Sequence, residues 1–356
     1  MKVSALQSFL GWVGENNSDL VFGLANLETR MLNRSIADTP IDRPIFICGL
    51  ARAGTTILLE LMARHPDTAT FRYQDYPFPM LPIWWDKMNG ASDRAPVERS
   101  HKDGITVTPK SPEAMEEMVW MHFFPDCHDP RISNVIENAD AAPEFSDFYH
   151  SMITKLLHAR GKARYLAKNN YNITRLKFLA KEFPTSRFVV PVRDPVWQIA
   201  SLMKQHTLFS NSDPRARAYL RRASHFEFGQ DRRPINVGDG TTDHILSLWE
   251  QGKEVEGWAK YWASVNGYLR EVLESDKDLA KRVLIVGYED LCLSPEDGLK
   301  QIFQHVGLDA DAEFVKRLGW RLQAPSYYNP EFSESEIALI KDATRSALIK
   351  PSTLAS

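Results

Sequence analysis

Cysteine is scarce in this chain. Three residues in 356, Cys48, Cys127 and Cys292, are too few and too far apart for a disulfide framework or a zinc-binding spacing. His122, Cys127 and His128 bring two imidazoles and one thiol together in no recognised pattern, so no metal is expected. Long apolar runs are missing too. The segment Met1 to Leu32 is broken by Glu15, Asp19, Glu28 and Arg30, which argues against a signal peptide or a membrane span and for a cytoplasmic protein. Charge of one sign is not in excess: the net charge is −3, which speaks against a general nucleic-acid binder. Repeats and low-complexity tracts are absent. What remains, 43% apolar and 25% charged residues, is the balance of a folded globular protein with a sizeable core.

One further absence is the most telling. Gly49-Leu50-Ala51-Arg52-Ala53-Gly54-Thr55-Thr56 follows the apolar run Ile45-Phe46-Ile47-Cys48, with the outline of a phosphate-binding loop between a strand and a helix. The lysine that should follow the second glycine is replaced by Thr55, and the nearest cation is Arg52, inside the loop. Backbone N–H groups from Ala53 to Thr56 are expected to converge on an anion at the helix start, and Gly54 lets the chain approach closely. The missing lysine, and the lack of a second strand ending in an Asp for Mg²⁺, speak against hydrolysis of a nucleoside triphosphate.

Along the chain, residues 1–40 read as an amphipathic helical extension able to dock on the domain or on another subunit, which leaves room for a homodimer. Residues 41–325 alternate strands and helices, predicting a doubly wound, mainly parallel α/β sheet flanked by helices. Strands are expected at Ile45 to Cys48, Arg164 to Ala167, Arg187 to Val192 and Val283 to Val286. Pro191 cannot donate to a ladder, so that strand should be one-sided near its end. Ser111-Pro112-Glu113 has the form of a helix start, and Ile173 to Phe183 reads as a helix. The Arg-rich stretch 207–245 reads as a solvated acceptor-side lid, with Arg215, Arg217, Arg221, Arg222, Arg232 and Arg233, and 326–356 as a helical tail. Arg52, Arg193 and Tyr288 each follow a predicted strand, where ligands of such sheets bind.

Arg193 with Ser201 eight residues on is placed to grip one further phosphate, and Tyr288, in Tyr-Glu-Asp-Leu, to meet a purine. Together with Gly-x-x-Arg-x-Gly-Thr-Thr, these elements resemble the sulfotransferase superfamily, which transfers sulfuryl from 3′-phosphoadenosine 5′-phosphosulfate (PAPS). The resemblance covers about residues 43–75, 163–206 and 282–310, in the family's order. It implies a 5′-phosphosulfate site of Arg52, Ala53, Gly54, Thr55 and Thr56. It also implies a 3′-phosphate pair of Arg193 and Ser201, an adenine contact at Tyr288, and Lys168 beside the transferring group. Adenosine 3′,5′-bisphosphate would be the product, and no metal is required. The chain departs from the family in having Ile57 where many cytosolic members have an aromatic residue, and in lacking a Gly-rich phosphate motif after Leu308.

For the base that takes the acceptor's proton, Asp75 and His101 rank first, with Glu113, Glu116 and Glu117 as rivals and the Glu116-Glu117 pair read as a solvated face. Trp84, Trp85, Trp120 and the aromatics around Tyr76-Pro77-Phe78 either wall a pocket for a small lipophilic alcohol or phenol, or are plain core. The alternatives are a nucleotide kinase or other phosphotransferase with a phosphate loop, and a non-catalytic nucleotide-binding protein of the same fold.

Overall fold

A computed structural model of the chain describes residues 5–89, 95–99, 101–102, 104–211, 214–222, 225–322 and 330–352, apart from the side chains of 5–10, 89, 215 and 219. Arg215 of the expected lid therefore lies outside the described side chains. The first half holds α1 (Ala5–Asn16), α2 (Ser18–Ile36), β1 (Ile45–Cys48), α3 (Thr55–Met62), β2 (Thr68–Ala69), α4 (Pro82–Asn89), β3 (Val97–Glu98), β4 (Thr106–Val107), α5 (Glu117–Phe123) and α6 (Phe145–Arg160). Then come β5 (Arg164–Asn169), α7 (Leu176–Glu182), β6 (Arg187–Val192), α8 (Pro195–Ser210), α9 (Pro214–Arg222), α10 (Thr242–Glu250), α11 (Glu254–Ser275) and α12 (Lys277–Ala280). The chain closes with β7 (Val283–Gly287), α13 (Tyr288–Leu293), α14 (Pro295–Val306), α15 (Ala312–Gly319) and α16 (Glu334–Thr344).

Five parallel strands stand in the order β2-β5-β1-β6-β7, the doubly wound arrangement. Strand residues alternate between two apolar faces. Phe46, Cys48, Tyr165, Ala167, Phe188 and Val190 join the larger core under α6, α8 and α11, while Ile45, Ile47, Leu166 and Val189 join the one under α3, α14 and α15. A sheet covered on both faces needs such continuously apolar strands. The chain leaves β1, returns beside it as β5, and then crosses to its other side as β6. The crevice where the winding reverses opens at the carboxyl end of β1.

Pro191 sits as its chemistry requires. β1 pairs with β6 only at Ile45 to Ile47, opposite Arg187 to Val189, so Pro191 meets a ladder partner on the β7 side alone, at Val286. The outer edge of β7 is covered in turn: Ser352 N–H donates to the Ile285 carbonyl (2.9 Å), and Ile285 N–H to Ser352 Oγ (3.1 Å).

Three local expectations are corrected. Ser111-Pro112-Glu113 does not open a helix. Pro112 bridges Arg72, and Glu113 N–H donates to the Phe71 carbonyl (2.9 Å), an extended pairing that carries Glu113 onto the chain leaving β2. The run 173–183 begins as a 3-10 segment, Asn170–Arg175, before α7. The 207–245 stretch is not a solvated lid throughout, because Phe226, Phe228, Ile235 and Val237 are buried. Arg232 forms a two-pronged bond to Glu254 and lies over the Trp249 ring.

The helices before residue 40 are built into the domain. Glu28 of α2 and Lys155 of α6 are both fully buried and pair at 2.9 Å. Lys155 also donates to the carbonyls of Ala25 and Met80, and Glu28 accepts from the amides of Ile83 and Trp84. A buried pair is tolerated when its remaining hydrogen-bonding capacity is met in this way. No helix among the described residues is long and apolar enough to cross a membrane.

Candidate active site

The loop after β1 is held open by three devices. Arg52 has φ of 70°, a left-handed conformation that side chains rarely take and that concentrates at functional sites. Gly54, at φ 104°, lets the Tyr288 ring lie where a Cβ would meet it at 2.5 Å. Gln198 of α8 donates to the Ala51 carbonyl (2.9 Å) and is itself fixed by Trp262 Nε1 (2.8 Å). Ala53 N–H turns back to the Leu50 carbonyl (3.3 Å), so its amide closes a turn within the loop. The N–H groups of Thr55, Thr56 and Ile57 at the start of α3 precede the first helical bond, from Leu58 to the Gly54 carbonyl (3.2 Å), and stand at the positive end of the helix dipole.

Several residues singled out from the sequence meet around this loop. Arg52 Nε donates to Ser201 Oγ (3.0 Å), and Arg193 Nη1 donates to the Arg52 carbonyl (3.2 Å). The Arg193 guanidinium lies 5.3 Å from the centre of the Tyr288 ring. Asp194 caps α8 by accepting from Val196 and Trp197, which holds Arg193 at the strand end and presents Ser201 two turns along. Thr55 Oγ1 donates to Asn170 Oδ1 (3.3 Å), and Asn170 donates to the buried Glu227 (2.7 Å).

Lys168 is buried at the end of β5, in register with Ile47 of β1. Burial pulls its ammonium below the ordinary lysine value, while the carboxylates of Glu113 and then Glu227 push it back up, and Arg99 and Arg52 add to the lowering. Glu113 reaches this side of the sheet because it pairs with the chain leaving β2, and β2 runs beside β5, the strand that carries Lys168.

The two bases ranked first from sequence are engaged elsewhere. Asp75 accepts from Arg160 (2.7 Å) and from the Arg72 amide (2.7 Å), so both oxygens serve to tie a 3-10 turn to the end of α6. His101 shares a hydrogen bond with Gln205 through Nδ1 (3.1 Å), accepts a second from it at its carbonyl (2.9 Å), and docks the β3–β4 segment on α8. Glu116 and Glu117 are buried, not solvated. Glu116 accepts from the hydroxyls of Tyr149 and Tyr165, and burial raises its pKa to about 7. Its proton is held more tightly in the folded chain, so this stabilisation is complete below about 4.5 and is lost as pH rises through about 7. Urea midpoints of the wild type are expected to fall relative to those of Glu116→Gln between mildly acidic and mildly alkaline pH.

Glu117 takes both prongs of Arg175 (2.6 Å each), lies 2.7 Å from His128 Nε2 and accepts from Asn169. Burial works to raise its pKa, but Arg175 and His128 outweigh it and hold the carboxyl well below its usual range. Glu117, Cys127 and His128 have ligand atoms within 4.8 Å of one another, whereas His122 stacks on Phe22 away from them. That trio is poorly suited to a metal. Burial pushes the Cys127 thiol up to about 12, and the carboxylate is already spanned by a guanidinium. Trp120, expected as a possible pocket wall, lies in the core beneath Arg175 (4.2 Å). Removing the cation in Arg175→Met should cost about 3–5 kcal/mol, read by chemical denaturation, because the buried Glu117 carboxylate loses both prongs of its guanidinium and keeps only His128 and Asn169.

A model of the sulfotransferase family matches residues 44–233, more than half of the chain. The chain belongs to the sulfotransferase family. This sulfotransferase is 23% identical over 312 residues to the omega-hydroxy-beta-dihydromenaquinone-9 sulfotransferase Stf3 of Mycobacterium bovis, covering 81% of this chain and 69% of that one. The Stf3 of Mycobacterium tuberculosis matches to the same extent. The crystal structure of sulfotransferase STF9 from Mycobacterium avium shares the fold, with a TM-score of 0.50 at 16% identity over 91% of this chain and 81% of that one. Within this sulfotransferase, sequence reading passed over Gln198, Asn170, Glu227 and Arg99. Gln198 had a signal, standing one turn before Ser201 on α8. Glu227 and Arg99 had none, being brought in from remote segments.

Proposed function

We propose that this sulfotransferase takes its sulfuryl group from PAPS and passes it in line to the hydroxyl of a small lipophilic acceptor, with Glu113 as general base. The observation that carries this reading is the linkage of Arg193, Arg52 and Ser201 around one helix start, with Lys168 buried nearby. This donor set suits anions: two guanidiniums, an ammonium, a hydroxyl and helix amides, beside a glycine cradle that a Cβ would fill. PAPS supplies an activated sulfuryl group on a phosphate leaving group.

Arg193 and Ser201 hold the 3′-phosphate, and Tyr288 meets the adenine. The amides of Thr55 and Thr56 and the Arg52 guanidinium hold the 5′-phosphate and stabilise charge growing on the leaving oxygen. Lys168 stabilises the oxygens of the migrating group. Glu113 accepts the acceptor's proton. The lipophilic class is supported by the substrate named for the Stf3 relatives and by Phe78, Trp84 and Trp85, which remain only partly buried. A kinase reading finds no support in a loop whose lysine position is Thr55.

Thermal-shift titration tests the nucleotide site. Adenosine 3′,5′-bisphosphate should stabilise the protein more than ADP or ATP. Arg193→Ala should weaken the bisphosphate by about ten- to hundredfold, the worth of hydrogen bonds to a charged group, while leaving ADP nearly unchanged. A bisphosphate preference that survives Arg193→Ala would overturn the 3′-phosphate assignment.

A further inference from the structure

Helix α2 carries two apolar faces, and the domain uses one. Val21, Phe22, Ala25 and Ile36 are buried, whereas Leu20, Leu24, Leu27 and Met31 stand 64, 38, 42 and 67% exposed. The exposed four are spaced by four, three and four residues, the seam pattern of paired helices. The spacing is also the same read in either direction. An antiparallel copy turned about a twofold axis midway between Leu24 and Leu27 sets Leu20 against the partner's Met31, and Leu24 against the partner's Leu27. An isologous interface requires this self-complementarity.

Two further features of α2 fit a second copy. Asp19 lies near its start and Arg30 and Arg34 near its end, all exposed. In the antiparallel register Asp19 falls between the partner's Arg30 and the partner's Arg34, about 3 Å along the axis from each at 1.5 Å per residue. Gly23, inside the helix, costs about 1 kcal/mol relative to alanine. A Cβ there would meet nothing within 4 Å, so no contact within the described protein calls for glycine, while close approach of a second helix does. A bilayer surface suits this face less well, since interfacial helices carry a Lys/Arg-rich polar face and here Asn16, Asn17, Asp19, Asn26 and Asn33 are also exposed.

We infer that α2 is the interface of a twofold homodimer, in which two α2 helices pair antiparallel along Leu20, Leu24, Leu27 and Met31. Sedimentation equilibrium of the full chain from low to high micromolar concentration should show a reversible dimer. Leu24→Glu with Leu27→Glu should weaken it by about a hundredfold or more, with circular dichroism unchanged, and Tm unchanged at concentrations where the wild type is monomeric, because both side chains are exposed. Asp19→Arg and Arg30→Asp should each weaken it by about tenfold. An equimolar mixture of those two variants should dimerise more tightly than either alone. The mixed pair sets opposite charges at both contacts between positions 19 and 30, and keeps one like-charged contact, of the Asp19→Arg side chain with the partner's Arg34, where the Asp19→Arg homodimer has two. A wild type monomeric at every concentration, or a dimer that the seam variants leave intact, overturns the inference. So does a monomer whose binding to anionic lipid vesicles is abolished by the seam variants, for that outcome assigns the face to a membrane.

Discussion

Glu113→Gln is expected to lower kcat by about a hundred- to ten-thousandfold, the range supplied by a positioned general base. Glu113 is set in place by its backbone N–H on the Phe71 carbonyl and by its Oε1, which accepts from the Ala114 amide (2.7 Å); a glutamine keeps the first and can keep the second through its own carbonyl oxygen. Tm and stabilisation by adenosine 3′,5′-bisphosphate should therefore match the wild type, and the loss should appear in kcat, not in donor KM. Asp75→Asn supplies the contrast. It weakens the ion pair to Arg160, so it should lower Tm while the rate per folded molecule stays near that of the wild type. A Glu113→Gln enzyme with undiminished kcat, or an Asp75→Asn enzyme that folds normally and has lost its rate, would show the base to be misassigned.

Lys168→Met is the second large effect. Methionine keeps the apolar stem and removes the ammonium proposed to stabilise the transferring oxygens, so kcat should fall by about a hundred- to thousandfold, as when one preorganised donor is lost at a reacting centre. Stability should not fall with it. Burial disfavours the charged form of Lys168, and an apolar side chain of similar length removes that cost, which offsets the attraction to Glu113 and Glu227 that is lost with the ammonium. The wild-type rate should decline in alkali at a pH below that of an ordinary lysine, and this limb should be missing from the residual activity of Lys168→Met. A variant that loses Tm and rate together would mark Lys168 as a structural cation only.

Parts of the site were legible because they depend on neighbours in the chain. The Gly49 to Thr56 turn, the Asp194-Pro195 helix start and the eight-residue step from Arg193 to Ser201 are local features, and each element forms where its own residues dictate. Pro191 was legible for the same reason: a residue without an N–H can stand only where its ladder is one-sided. Ser111-Pro112-Glu113 misled because the same three residues satisfy two geometries. The choice fell to Phe71, whose carbonyl was available to the Glu113 amide once β2 was in the sheet. The Glu116-Glu117 pair misled for a related reason. Two adjacent acids suggest a solvated face, and nothing nearby in the chain announces Arg175, Tyr149 and Tyr165, which make their burial tolerable.

The sequence by itself therefore determined the doubly wound sheet, the strand–loop–helix turn with Arg52 inside it and Thr55 in place of a lysine, and the family to which these belong. All of these follow from short-range periodicity, turn chemistry and spacing. The tertiary structure decided where Glu113 is held, which charges are buried, how much of the Arg-rich stretch is core and which face of α2 is left exposed. Those outcomes depend on contacts between segments tens to hundreds of residues apart, and such contacts are settled only when the helices close over the two faces of the sheet.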